Sequence, residues 1–262
     1  MHALRLRCRA AERDAWIAEF WSLGTEGVTE REQPDGSWEL EAFFPARFDV
    51  AAGEWWEVAE RDWSEAWKDA WVPIAVGRGW FLVPDWRDDP APDGRLRLVI
   101  HARQASGSGY QPATQLALEA VEDNVGAGDS FFDWGVGSGI LCSAARLLGA
   151  RRIVGCDVDA NALAEARVNL GPAPVGLFVG SGRSMRTGSF DVVAANVNAA
   201  TIVEYAGEMA RIVRAGGALI LSGFRSRSMG VLEDVFAVVG MRVATRYQRE
   251  DWRCLVLRQV RP

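Results

Sequence analysis

The sequence predicts an α/β chain in two parts. The larger part is an open, mostly parallel sheet with helices on both faces and an antiparallel hairpin at its end. A small α+β unit of ferredoxin-like pattern precedes it. Three observations predict this. From about residue 96, apolar strand-length runs alternate with amphipathic helical runs, the rhythm of a helix-covered parallel sheet. One apolar run, "FFDWGVGSGI", ends in Gly135-x-Gly137-x-Gly139 and passes into a helical segment, a turn that lets a ligand approach backbone N–H groups. The chain closes on two successive strand-like runs, "RVATRYQRE" and "WRCLVLRQV".

Taken in order, "LRLRC" alternates like a strand, and "AERDAWIAEFWSLG" carries Trp16, Ile17, Phe20 and Leu23 at helical spacing before a glycine stop. "GVTEREQ" and "SWELEAFF" flank Pro34-Asp35-Gly36, a hairpin signal. "AGEWWEVAERD" is read as a helix, so residues 1–60 give strand, helix, two strands and a helix. Residues 61–95 are read as a linker. Its "DWSEAWKDAW" places Trp63, Trp67 and Trp71 on one helix face. Such a stripe is read as packing before it is read as a substrate platform. "PIAVGRGWFLVPDW" is extended chain and "DDPAPDG" a turn.

Residues 96–262 form the second domain. "LRLVI", "SFFDWGV", "RIVGCDVD", "VGLFVG", "FDVVAANV" and "ALILSGF" are its strands. "PATQLALEAVEDNV", "GILCSAARLLGA", "ANALAEARVNL", "IVEYAGEMARIVRAGG" and "SMGVLEDVFAVVGM" are its helices.

The bulk numbers narrow the function classes. The chain has 262 residues, 49% of them hydrophobic and 24% charged, enough for a substantial core in a soluble protein. Its net charge of −6 disfavours extended DNA or RNA binding and reads as plain solubility. No apolar run is long enough for a signal peptide or a transmembrane helix, so a cytoplasmic protein with no membrane partner is expected. Nothing calls for more than a monomer. Four scattered cysteines and two histidines, without ligand spacing, predict buried thiols and no metal site.

The chemistry concentrates at the strand ends. No GxxxxGK[ST] loop is present, so ATP hydrolysis is unsupported. The third glycine comes one residue earlier than in GxGxxG, which argues against NAD. "VGCD" ends the next strand with Asp157, roughly 20 residues past the first glycine, where an acid can accept ribose hydroxyls. Asp159, directly before "ANALAEARV", reads as the helix cap. "FDVVAAN" delivers Asn196 to the carboxyl edge of the sheet, where open α/β sheets bind ligands.

Together these elements resemble the class I, Rossmann-like S-adenosylmethionine-dependent methyltransferases. "GSWELEAFFPARFD", "DWSEAWKDAWVPIAVG", "DWGVGSGILCSAARLLGARRIVGCDVDANALAEARVN", "FDVVAANVNA" and "EDWRCLVLR" narrow the resemblance to the bacterial ribosomal-protein methyltransferase A (PrmA) family. The resemblance implies S-adenosylmethionine as cofactor and amino groups of a large-subunit ribosomal protein as acceptors. It also implies an N-terminal domain that recognises the substrate. It implies cofactor contacts from Thr114, Asp133, Gly135, Gly137, Gly139, Asp157, Ser181 and Asn196, with Asn196 also serving catalysis. The family's loop over the methionine end falls on Ser106-Gly107-Ser108-Gly109, then Gln111, then Ala113-Thr114. Here Ser106 replaces the family's Phe, Gln111 its usual His and Ala113 its first Thr, and Asn198 and Thr201 fall where the family is usually apolar. His101 is read as structural rather than as a base. Two alternatives stay open from the residues alone. One is an enzyme of the same fold acting on another protein lysine or a small amine; the other is a catalytically silent binding protein.

Overall fold

The computed structural model describes residues 2–50, 52–57, 68, 71–101 and 109–259. Trp63, Trp67 and the loop residues Ser106, Gly107 and Ser108 lie outside these. The chain divides into two compact units, Met1–Trp71 and Val72–Pro262.

Among the described residues, the first unit is a four-stranded antiparallel sheet with one α-helix. Strand β1 (His2–Arg9) leads through a short 3-10 turn into α1 (Arg13–Ser22), then β2 (Gly27–Glu32), β3 (Ser37–Phe44) and β4 (Glu54–Glu57). The sheet order is β2-β3-β1-β4, the split arrangement of a ferredoxin-like unit. Helix α1 sets Phe20, with Trp16 and Ile17, against Leu4, Leu6, Leu40, Ala42 and Phe44 on one sheet face.

The stretch "EWWE", read from the sequence as part of a helix, is strand β4, paired antiparallel with β1. The reason is packing. On a strand, adjacent tryptophans point to opposite faces. Trp55 turns into the core against Phe44 and Phe48, at ring-centroid distances of 5.5 and 5.1 Å. Trp56 lies under the Arg5 guanidinium at 4.5 Å on the other face. Among the described residues of the connection 45–53 there is no second helix.

In the second unit, the stretch read as linker contributes structure. Strands β5 (Ile74–Val76) and β6 (Trp80–Pro84) form a hairpin, and β7 (Leu96–Ile100) pairs parallel with β6. The run "LRLVI" therefore joins this separate three-stranded sheet instead of the main one. Buried Trp80 donates its indole N–H to the Leu118 carbonyl at 3.0 Å. That bond ties the small sheet to α2 (Pro112–Asn124), the helix that opens the main domain.

Then come β8 (Ser130–Trp134), α3 (Ile140–Leu147), β9 (Arg152–Asp157), α4 (Ala160–Leu170), β10 (Val175–Val179), β11 (Phe190–Asn196), α5 (Ala199–Glu204), α6 (Ala206–Ile212), β12 (Val213–Arg225), α7 (Met229–Val238), β13 (Met241–Arg249) and β14 (Trp252–Gln259). The sheet order is β10-β9-β8-β11-β12-β14-β13. β8 to β12 run parallel, while β14 is antiparallel to β12 and to β13. Strand order reverses between β8 and β11, which opens a crevice at their carboxyl ends. Phe132, Phe190, Val193, Leu219, Leu221, Met209 and Phe236 fill one side of the sheet.

The helix expected over 202–217 ends at Ile212, after a break at Tyr205, and Val213 is already extended. Pairing explains the early stop, since Val213 is already in register with Phe190 of β11, and Gly217 then lets the two strands approach. A Cβ there would lie 2.6 Å from the Asp191 carbonyl, so β12 runs against β11 through this glycine.

Candidate active site

A cavity of about 410 Å³ opens in the crevice at the carboxyl ends of β8, β9 and β11. Its wall includes Asp133, Gly135, Gly137, Asp157, Ser181 and Asn196 from among the residues expected there, together with Gln111 and Ala113. The volume is in the range of small-molecule and cofactor sites.

The glycine turn is built for close approach. Gly135, Gly137 and Gly139 all have positive φ, at 79°, 49° and 82°. A Cβ on Gly135 would stand 2.5 Å from Val197 Cγ1, so a side chain there would push apart the two strand ends that form the crevice. Gly139 is not among the residues on the cavity wall. It is the N-cap of α3, and a Cβ there would press on Leu170 and Ala166 of α4 at 3.3–3.4 Å. It lets two helices pack.

Asp157 holds that turn. Its Oδ2 accepts from Gly137 N at 3.0 Å and its Oδ1 from Asp159 N at 3.0 Å. Asp159 caps α4 as expected, accepting from Asn161 N at 2.8 Å. A carboxylate has lone pairs beyond these two bonds. Asp157 can therefore anchor the turn and still accept hydroxyls from a bound ribose. Asp157→Ala is expected to weaken S-adenosylmethionine binding by about 1–3 kcal/mol, the range for unmade buried hydrogen bonds. Calorimetric titration of the variant is the check, and unchanged affinity would refute the ribose role.

Asp133 is the most perturbed group on the wall. It is buried, and Cys142 Sγ donates to its Oδ2 at 3.4 Å. Its Oδ1 is buried without a protein partner. Burial pushes its carboxyl up to about 8, the thiol bond pulls it back in part, and the nearby Asp157 charge adds to the rise. An acidic oxygen left unpaired at a cavity wall suits a cationic ligand group, such as the amino group of a methionine moiety.

On the neighbouring strand the wall is organised around Asn196. Its Nδ2 donates to Thr114 Oγ1 at 3.1 Å. Thr114 is fully buried and off the cavity wall, so it acts from behind Asn196. One amide N–H goes to Thr114, so the carbonyl Oδ1 and the second N–H are what Asn196 can offer a ligand. Ser222, the β12 neighbour of Asn196, donates its hydroxyl to the Ala113 carbonyl at 2.7 Å and so fixes the first turn of α2. Asn198 and Thr201 also lie on the wall. Their polarity has a local cause: Asn198 Oδ1 caps α5, accepting from Thr201 N at 3.0 Å and from Thr201 Oγ1 at 3.2 Å.

Three aromatic residues complete the wall: Trp134, Tyr205 and Trp252. Trp134 and Tyr205 face each other at 5.3 Å between ring centroids. Sequence reasoning gave none of the three a role at the site. Trp134 sits inside the quoted glycine motif and Trp252 inside "EDWRCLVLR", but only the fold brings them to one place. Gly223, also on the wall, has φ +91°, and a Cβ there would lie 2.4 Å from the Val197 backbone oxygen. Gly223→Ala is expected to cost more than about 3 kcal/mol of stability, measured by urea unfolding. His101 is not on this wall. Its Nδ1 lies 2.8 Å from Asp85 Oδ2, a pairing between the ends of β6 and β7.

The sheet order, the glycine turn, the acid closing β9 and the amide closing β11 define a class I S-adenosylmethionine-dependent methyltransferase. The profile of the family described as ribosomal protein L11 methyltransferase (PrmA) matches residues 28–260. The chain belongs to that family. The chain is 35% identical over 202 residues to the ribosomal protein L11 methyltransferase of Geobacter sulfurreducens, covering 77% of this chain and 67% of the relative. It is likewise 35% identical over 209 residues to the same-named protein of Desulfosudis oleivorans, covering 76% of this chain and 68% of that one. The crystal structure of a ribosomal protein L11 methylase from Lactobacillus delbrueckii superposes with a TM-score of 0.67 at 24% identity. The superposition covers 73% of this chain and all of that one, and it shows the shared fold.

Proposed function

We propose that the protein transfers methyl groups from S-adenosylmethionine to lysine or α-amino groups of the large-subunit ribosomal protein for which its relatives are named. The observation that carries this is the pairing of an unpartnered Asp133 oxygen with an Asn196 amide oriented by Thr114, within one cavity. When bound, S-adenosylmethionine supplies an electrophilic methyl on a positively charged sulfonium. Asp133 would hold its amino group, Asp157 its ribose, and Gly135, Gly137 and Ser181 would line the remaining cradle.

The acceptor must arrive neutral, although a free lysine titrates near pH ~10.4. Entry into a cavity walled by Trp134, Tyr205 and Trp252 strips water from the ammonium and lowers its pKa. The Asn196 carbonyl accepts an amine N–H and aims the lone pair at the methyl. No strong base is required, because the proton can leave to water once the amine is aligned.

Residues 1–60, with their small sheet, are read as the part that recognises the substrate protein. A ribosomal substrate goes with action in the cytoplasm, with no DNA or membrane partner, and with a monomeric enzyme. Incubation with methyl-labelled cofactor and ribosomal proteins should mark one small large-subunit protein. No labelled band, with cofactor binding intact, would overturn the substrate assignment.

A further inference from the structure

We infer that Arg211 is a positioning residue for the cofactor, acting through the segment that follows β10. This rests on the methyltransferase reading above and adds a residue to it. Gly180 and Ser181, at the start of that segment, line the cavity, and a 3-10 turn over Gly182–Ser184 follows directly. Of the main-chain carbonyls in that turn, Gly182 O is used once within the segment, by Met185 N at 3.0 Å. What fixes the segment in place is a guanidinium from α6.

Arg211 NH1 donates to Met185 O at 2.7 Å and to Thr187 Oγ1 at 3.3 Å. Its NH2 donates to Arg183 O at 3.2 Å and to Gly182 O at 3.4 Å. Glu208 Oε2 receives Nε at 3.0 Å and NH2 at 2.8 Å, which locks the plane of the group. The Arg211 carbonyl also accepts from Gly188 N at 2.9 Å, so the grip includes the main chain. Every donor of the fork is thereby used, an arrangement a lysine ammonium cannot reproduce.

The held segment does two things at the cavity. It presents Gly180 and Ser181 to the wall. It also sets the Arg183 guanidinium over the Tyr205 ring at 5.4 Å, and Tyr205 in turn faces Trp134. Space is tight beside this stack: a Cβ on Gly182 would stand 2.3 Å from the Trp134 ring. A shift of the segment by a few tenths of an ångström would therefore move both the polar cradle and the aromatic wall.

The test compares wild type, Arg211→Lys and Arg211→Ala. Dissociation constants for S-adenosylmethionine come from calorimetry, and steady-state kinetics are run with each substrate varied. Arg211→Lys keeps the charge and is expected to raise the cofactor dissociation constant and KM about tenfold, since at least two carbonyls lose their donors. The kcat at saturating cofactor and the KM for the ribosomal protein should change by less than the cofactor dissociation constant, because the held segment supplies the cradle directly and touches the aromatic wall only through Arg183 and Tyr205. Arg211→Ala should regain cofactor affinity when millimolar ethylguanidinium is added. If Arg211→Ala does not fold, the lysine variant decides. Unchanged cofactor affinity in Arg211→Lys would overturn the inference, as would a fall in kcat with no change in cofactor KM. Failure of the wild type itself to bind S-adenosylmethionine would instead overturn the underlying methyltransferase reading.

Discussion

Asp133→Asn is expected to yield a protein that is more stable without cofactor at pH 8 and that binds S-adenosylmethionine roughly a hundredfold more weakly, the cost of about 3 kcal/mol for losing a charged hydrogen bond. The two halves of this prediction have one cause. The Asp133 carboxyl is buried, its Oδ1 has no protein partner, and burial raises its pKa to about 8. In the unfolded chain the same group titrates near ~3.9. A raised folded pKa means that its stability contribution is fully present below about pH 4 and is lost as pH rises to about 8. The variant removes that loss. It should match wild type near pH 4 and exceed it at pH 8 by on the order of 2 kcal/mol, after allowance for relaxation around the charge. Thermal unfolding at the two pH values checks the stability half. Binding of a cationic amino group should restore the ionised form, so wild type should release a proton on cofactor binding at pH 7. Calorimetry in two buffers of different ionisation enthalpy reads that release. A variant no more stable at pH 8 would show that the carboxyl is not penalised by its burial.

Asn196→Ala is expected to lower kcat about a hundredfold while leaving cofactor affinity within about threefold, because the lost carbonyl acts chiefly on the aligned amine in the transition state. Its orientation comes from Thr114, through the 3.1 Å bond from Nδ2. Thr114→Val should therefore reproduce part of the kcat loss, since the amide could then turn. Steady-state kinetics with the ribosomal protein as acceptor measure both. Equal losses in cofactor binding and in kcat would move Asn196 from the acceptor side to the cofactor side.

The parts of the site legible in the sequence are those written over short distances. Asp157 and Asn196 each close a buried strand, and the glycine turn joins a strand to a helix, so local pattern places all of them on one sheet edge. Asp159 as a cap was legible for the same reason. The packing around Gly139 was not legible, because a glycine in a motif carries no label for what approaches it: Leu170 of the next helix does so here. The strand at 54–57 escaped because the charged and aromatic run "EWWE" fits either period, and only its seat beside β1 decides. Arg211, Ser222 and Trp252 act across long sequence separations. Ser222 reaches Ala113 and Arg211 reaches Met185 only after the sheet has assembled. Nothing in the residues around them marks that role.

The most direct measurement is intact-mass spectrometry of the purified large-subunit ribosomal protein, unmethylated at the start, after incubation with enzyme and S-adenosylmethionine. Wild-type enzyme should raise its mass in methyl-sized steps, with fragmentation placing each step on a lysine or the α-amino group, and Asn196→Ala should leave most of it unmodified. A mass that stays unchanged with wild-type enzyme, while calorimetry shows the cofactor bound, would contradict the proposed reaction.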